Sequence, residues 1–426
     1  MAEDGTASRE VQFPEGFLWG AATSAHQVEG GNRNDWAEWE HANAERLARE
    51  AEQEFGSLPN WSAIKTQAQD RSNYISGRAT DHYHRFREDF DIAKRLGHNA
   101  HRFSIEWSRI EPEEGKFNEQ EIAHYREVIR VLKERGMEPF VTLWHWTIPV
   151  WLARSSGVWR NDFPDLFARY ATRIAEALPA VRFWITLNEP EIYALNGYLR
   201  GVWPPGRRGL VSFLRTTYRL NLAHQQAYGR LKALNSHSSV GVAVNQVYFE
   251  SGGGPLNGML SWLAERFWNF RFLWHITREL DFIGVNYYFH NRVDYGFNRN
   301  ANRELSDLGW EVFPEGIFHV LTALRRFEKP IYIIENGIAD ADDDDRARFI
   351  REHLRWVARA IGEGIDVRGY FYWSLLDNFE WDKGFWPRFG LVEVDYKALT
   401  RTIRPSAWEY TGIIGAGADR ARFSGS

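Results

Sequence analysis

Eight short apolar runs rich in β-branched and aromatic residues recur along the chain, and stretches with helical spacing of their apolar residues lie between them. The runs are FLWGAATS, NAHRFSIEW, EPFVTLWHW, RFWITLNEP, SVGVAVNQVYF, DFIGVNYY, PIYIIENG and VRGYFYWSLL. Segments such as HYHRFREDFDIAKRLG, EQEIAHYREVIRVLKERG and DRARFIREHLRWVARAIGEG carry the helical period and end on glycine, a common helix stop. A strand, a helix and a further strand join in parallel through a right-handed crossover, and eight such units close on themselves. The expected fold is therefore α/β, a single (β/α)8 barrel domain over residues 1–426, with flexible ends at 1–12 and 416–426. A length of 426 residues suits one such barrel, because loops accumulate on a fixed scaffold. The polar segment from about Ala42 to Gly77 reads as a long loop with helical pieces.

Composition narrows the partners. A net charge of -5 gives no chain-wide attraction to nucleic acid or anionic lipid, although local basic patches stay compatible with it. With no cysteine there are no disulfides, thiolate metal sites or cysteine nucleophiles, which fits a reducing compartment. The polar start MAEDGTASREVQ lacks the apolar core of a signal peptide, so a cytoplasmic location is expected. The 20 tryptophans serve large cores, and their faces also stack on the C–H faces of sugars.

Barrel enzymes carry their chemistry at the C-terminal ends of strands. That rule selects Glu189, in Asn188-Glu189-Pro190 after the fourth run, and Glu335, in Glu335-Asn336-Gly337 after the seventh. An ionised carboxylate at the end of a buried strand is costly unless partnered or functional. Two such groups suit glycosidic bond cleavage, where a separation of roughly 5 to 5.5 Å gives retention and a larger one inversion. Arg102, between apolar neighbours in RFSIEW, is a candidate partner that lowers the pKa of an adjacent carboxylate.

These fragments, with FPEGFLWGAATSAHQVEG, DHYHRFREDFDIAKRLG, YFYWSLLDNFEW and PRFGLVEVDY, resemble glycoside hydrolase family 1, the β-glucosidase family, over nearly the whole chain. The resemblance implies a retaining exo-β-glycosidase, acting as a β-glucosidase and also on β-galactosides and β-fucosides, that releases terminal non-reducing residues by double displacement. It makes Glu189 the general acid/base and Glu335 the nucleophile, with Arg102 and Tyr288 keeping the nucleophile anionic. Gln27, His145, Asn188, Glu380 and Trp381 would hold the terminal sugar over Trp373. Asn286 and Asn188 would serve the hydroxyl next to the anomeric carbon. Trp146, next to the terminal sugar, and Trp310 would lie on the aglycone side. No cofactor or metal is called for. The expected partners are small β-glycosides or short oligosaccharides, with no nucleic acid and no membrane span, acting on a monomer or weak homo-oligomer. Endo-acting barrels, a 6-phospho-β-glycosidase and a sugar-binding protein without activity are the competing readings. Glu380 disfavours the phosphate clamp, and the pair of glutamates disfavours the inactive protein.

Two departures stand out. Thr147 replaces the aspartate of HWDxP, and the connection between the fifth and sixth runs is shortened. The aromatic segment NGMLSWLAERFWNFRFLWHITREL must serve there alone. It is expected to pack on the barrel wall or, where structure is missing, to leave apolar surface uncovered at residues 255–280. Such a surface would favour mobility, self-association or a second, flat apolar ligand.

Overall fold

The eight runs form eight parallel strands: β1 (Leu18–Ala22), β2 (Ala100–Ser104), β3 (Glu138–Trp144), β4 (Phe183–Asn188), β5 (Ser239–Ser251), β6 (Phe282–Val293), β7 (Ile331–Asn336) and β8 (Val367–Trp373). In the computed structural model, which describes residues 13–423, they close into a barrel in sequence order, β8 pairing with β1. The expected flexible N-terminus, residues 1–12, lies outside the described residues. The last helix continues through the expected flexible end as far as Phe423, and residues 424–426 lie outside.

The α-helices longer than five residues are α1 (Asp35–Phe55), α2 (Trp61–Ala68), α3 (His82–Arg95), α4 (Glu119–Glu134), α5 (Phe163–Ala177), α6 (Leu210–Leu234), α7 (Gly254–Glu265), α8 (Arg271–Ile276), α9 (Glu315–Leu324), α10 (Arg346–Gly362) and α11 (Pro405–Phe423). Several pack an apolar stripe at helical spacing against the barrel. In α10, Ile350, Leu354 and Val357 are buried at i, i+4 and i+7, each contributing about 2 kcal/mol of transfer free energy. Asn118 caps α4 by accepting from the backbone N–H groups of Gln120 and Glu121.

The segment from about Ala42 to Gly77, expected as a long loop with helical pieces, carries two of them, helical through Phe55 and again from Trp61 to Ala68, so helix takes up more of it than loop. The first of these helices, α1, buries Asp35 and, at i+3 and i+4 spacing, Trp36, Glu40, Ala44, Ala48, Ala51 and Phe55, a stripe in which alanine is the commonest residue. Small residues supply a packing face that looks polar when only large apolar side chains are counted.

The barrel interior is layered. At the bottom Phe140 stacks on Phe183 with ring centroids 4.2 Å apart, and Tyr332 and Phe371 close around them at 5.2 and 4.8 Å. Above this plug the side chains become polar, beginning with Thr142 and Arg102. Two breaks in register govern that upper layer. In β4 the register shifts between Ile185 and Asn188, so Ile185 lies in the plug, Leu187 faces the helices and Asn188 turns inward. In β7 the shift between Ile333 and Asn336 brings Glu335 inward directly after Ile334, which is also part of the plug. A bulge re-aims a side chain that strict alternation would send outward.

The connection from β5 to β6 is made by α7, a π-helical turn at Arg266–Phe270 and α8. Both expectations for it are met by different residues. Phe270, Phe272, Leu273 and Ile276 are fully buried, whereas Trp262, Phe267 and Trp274 are 50%, 45% and 48% exposed.

Gly337 follows the inward pair because nothing larger fits: a Cβ there would lie 1.8 Å from the carbonyl oxygen of Trp373. The obstacle is backbone, which cannot rotate aside. Gly337→Ala is expected to destabilise the protein by about 3 kcal/mol. An unchanged denaturant midpoint in an equilibrium unfolding experiment would contradict this packing.

Candidate active site

The polar layer is one connected network. Arg102, fully buried, donates from Nη1 to Glu335 at 2.5 Å, from Nη2 to Asn188 Oδ1 at 2.7 Å and from Nε to Thr142 Oγ1 at 3.1 Å. Tyr288 donates its phenolic proton to the other oxygen of Glu335 at 3.0 Å. Asn286, paired in register with Glu335, donates to Glu189 Oε1 at 2.9 Å and to Asn188 Oδ1 at 3.3 Å. Asn245, from β5, gives Glu189 Oε1 a second donor at 3.0 Å.

Electrostatics divides the two carboxylates. Burial pushes the pKa of Glu189 up to about 8, and the negative charge of Glu335 pushes in the same direction; only neutral amides touch it directly. Burial also raises Glu335, but the Arg102 charge, with hydrogen bonds from Arg102 and Tyr288, opposes the rise. These surroundings favour the anion on Glu335 over the anion on Glu189. Glu189 also has φ of +40°, a left-handed conformation that is strained for a side chain with Cβ and is held by the bond from its N–H to Ala243 O at 2.8 Å.

Both glutamates open onto a cleft of about 1160 Å³ at the C-terminal end of the barrel. Gln27, His145, Trp373, Glu380 and Trp381 line its inner part, and Trp146, Tyr288 and Trp310 line it as well. Asn188 and Asn286 lie behind the carboxylates, fully buried, and Arg102 lies deeper still. Gln27, in the short helical turn after β1, donates to Asn378 Oδ1 at 2.8 Å, to Phe379 O at 2.9 Å and to Glu380 Oε2 at 3.3 Å, tying that turn to the loop after β8. Burial raises the Glu380 pKa, and so does the charge of Glu335. His145 is held neutral, its pKa driven down by burial and by the Arg102 charge; its Nε2 meets the Asn188 amide at 3.1 Å and its Nδ1 has no protein partner. Trp146 packs 4.8 Å from Trp381 and donates its indole N–H to Asn188 O at 2.9 Å. Trp310 packs against Tyr288 and Phe389.

Thr147, the departure in the third strand's motif, donates to Glu106 Oε2 at 2.9 Å and touches neither catalytic candidate. Sequence reasoning missed three contributors. Asn245 stands near the C-terminal end of the barrel pairing in β5, where the strand-end rule could have found it. Thr142 holds the far side of Arg102, and no local pattern marks it. Trp268, in the π-helical turn after α7, lines the cleft, and only the folded connection brings it there.

The model of glycosyl hydrolase family 1 matches the chain in two stretches, residues 9–278 and 273–418, which meet within the β5 to β6 connection. The chain is 32% identical to beta-glucosidase A of Thermotoga maritima over 95% of its length and 98% of that protein. It is 30% identical to a beta-galactosidase of Sulfolobus acidocaldarius over 95% of each. The solved beta-glycosidase from Pyrococcus horikoshii superposes with a TM-score of 0.84 at 37% identity, covering 96% of each chain. The chain belongs to glycosyl hydrolase family 1, and it is a retaining β-glycosidase of that family. Among the described residues no cluster of His, Asp or Glu is arranged to hold a metal ion, and no helix is long and apolar enough to cross a membrane.

Asn245 stabilises the ionised form of Glu189, so its removal raises that pKa further. Asn245→Ala is expected to move the basic limb of the kcat/KM profile upward by about one pH unit. Initial rates across the pH range measure this, and a limb that stays or moves down contradicts the assignment.

Proposed function

We propose that Glu335 is the nucleophile and Glu189 the acid/base of a two-step hydrolysis of terminal β-glycosides. The observation that carries this reading is the unequal surroundings of the two carboxyls: a guanidinium and a phenol on Glu335, and amides alone on Glu189. Glu335 attacks the anomeric carbon, its electron pair forming the glycosyl ester while the bond to the leaving oxygen breaks. Glu189 gives its proton to that oxygen. The Glu189 carboxylate then takes a proton from water, whose oxygen attacks the anomeric carbon and returns Glu335 to its anionic form. Two inversions leave the original configuration.

The sugar is held by Gln27, His145 and Glu380, with Trp373 beneath it and Trp381 beside it. Asn286 and Asn188 stand toward the hydroxyl next to the anomeric carbon. Supporting this, His145 Nδ1 and Asn286 Oδ1 are buried with no protein partner, atoms that sugar hydroxyls can satisfy. The bonds of Gln27 to the loop carrying Glu380 close the inner end of the cleft, which favours exo action on one terminal residue. Trp146 and Trp310 face the aglycone. Terminal glucose is the expected sugar, with galactose and fucose as further substrates, since they differ at hydroxyls that Gln27 and Glu380 would read. The chemistry draws on no cofactor. One catalytic domain acting as a monomer or weak homo-oligomer, in a reducing cytoplasmic compartment suited to a chain without cysteine, completes the reading.

Azide rescue tests the roles separately. Glu189→Ala, given an activated aryl β-glucoside and azide, is expected to yield the β-glycosyl azide, because the glycosyl-enzyme still forms and azide inverts it. Glu335→Ala is expected to yield the α-glycosyl azide by one direct inversion. Without azide, Glu189→Ala should lose roughly 10²- to 10⁴-fold on substrates with poor leaving groups. NMR of the products identifies the anomers, and the opposite pattern reverses the assignment.

A further inference from the structure

The net charge of -5 conceals a strongly basic stretch. No Asp or Glu occurs between Glu191 and Glu250, whereas Arg200, Arg207, Arg208, Arg215, Arg219, Arg230 and Lys232 do. Arg200, Arg207, Arg208 and Arg215 are exposed, and none forms an ion pair among the described residues. Arg207 and Arg215 instead lie over the Trp159 ring at 4.0 and 4.5 Å, and Arg200 donates to Asn196 Oδ1 at 3.3 Å.

Apolar side chains are exposed on the same elements. On α6 Leu210, Val211, Leu214 and Tyr218 recur at i, i+1, i+4 and i+8, one helical stripe, with Val211 78% exposed. On α7 Leu256, Met259 and Leu263 recur at i, i+3 and i+7, and exposed Trp262, Phe267 and Trp274 extend the run through the π-helical turn to α8. The stripes belong to one face. Phe213 of α6 packs 6.1 Å from Phe267, and Arg271 bridges the two elements, donating to Thr217 Oγ1 at 3.1 Å with its guanidinium over both rings. That face begins at the mouth of the cleft, where Val202, Arg208 and Trp268 form part of the lining. It also includes the segment where the two stretches of the family match meet.

An apolar surface of this extent needs a cover. A second copy docked about a two-fold axis through this face would bring two arginine-rich faces of like charge together, with no acidic residue between Glu191 and Glu250 to offset them. An anionic lipid surface has the complementary charge, and its interfacial zone suits tryptophan, tyrosine and arginine together. We propose that this face docks on anionic lipid membranes. The cleft mouth then lies against the bilayer, and the substrate class this serves, resting on the glycosidase reading above, is β-glycosides whose aglycone is a lipid chain.

Co-sedimentation of the full-length protein with vesicles tests the docking. Vesicles containing phosphatidylglycerol are expected to bind it on the order of tenfold more strongly than pure phosphatidylcholine at low salt, with the difference lost at high salt. Two double variants, Leu214→Asp with Trp274→Asp and Arg207→Glu with Arg215→Glu, should each abolish binding while hydrolysing a water-soluble aryl β-glucoside at the parental rate. Equal partition onto both vesicles at low salt, or variants that bind like the parent, would overturn the proposal. So would a dimer in native mass spectrometry that Leu214→Asp with Trp274→Asp dissociates without any vesicle binding. A long-chain alkyl β-glucoside embedded in anionic vesicles should be cleaved roughly tenfold faster by the parent than by either variant, and equal rates remove the substrate class. Vesicle binding without turnover of any β-glycoside would sink the glycosidase reading and leave the docking intact.

Discussion

The buried guanidinium of Arg102 is the constraint around which the upper barrel is organised. A cation with no access to water must have its donors engaged, and removing a partner would leave an uncompensated charge. Its partners come from three other strands: Thr142 from β3, Asn188 from β4, and the Ile334 carbonyl and Glu335 carboxylate from β7. Because the bonds converge from strands distant in sequence, the closed barrel is what makes the ion pair possible. The pair in turn fixes Glu335 where the cleft floor opens.

The aromatic plug beneath this layer has a second role. Phe140, Phe183, Tyr332 and Phe371 fill the lower interior, so the polar network above is sealed from water on one side and opens only to the cleft. Low local polarisability strengthens the Arg102–Glu335 attraction and raises the cost of a second anion nearby. The elevated pKa of Glu189 follows from that geometry, since burial and the Glu335 charge both act against ionisation. The apolar core and the acid/base character of the site are thus parts of one arrangement.

The outer surface shows the same coupling of packing and charge on a larger scale. Phe270, Phe272, Leu273 and Ile276 anchor the β5 to β6 connection to the barrel, which leaves Trp262, Phe267 and Trp274 outward beside the arginine-rich α6. A chain-wide charge total averages this face away against acidic surfaces elsewhere. Its basic and apolar character emerges only when α6 and α7 are seen side by side.

Much of this protein is legible along the chain. The strand and helix order, and with it the barrel, follow from periodicity, because each unit buries a face set by local spacing. The strand-end rule then selects Glu189 and Glu335, and the order of motifs marks the family. The alanine stripe of α1 was harder to read, because small residues carry a weak apolar signal. Three matters were decided by tertiary structure alone. The register breaks in β4 and β7 turn Asn188 and Glu335 inward against simple alternation, and a bulge depends on how neighbouring strands pair. Asn245, Thr142 and Trp268 join the site because barrel closure brings their elements to it. The unequal surroundings of the two glutamates, a guanidinium and a phenol on one and amides on the other, come from strands far apart in sequence, and a pKa responds to charges and burial in space, which sequence separation does not measure.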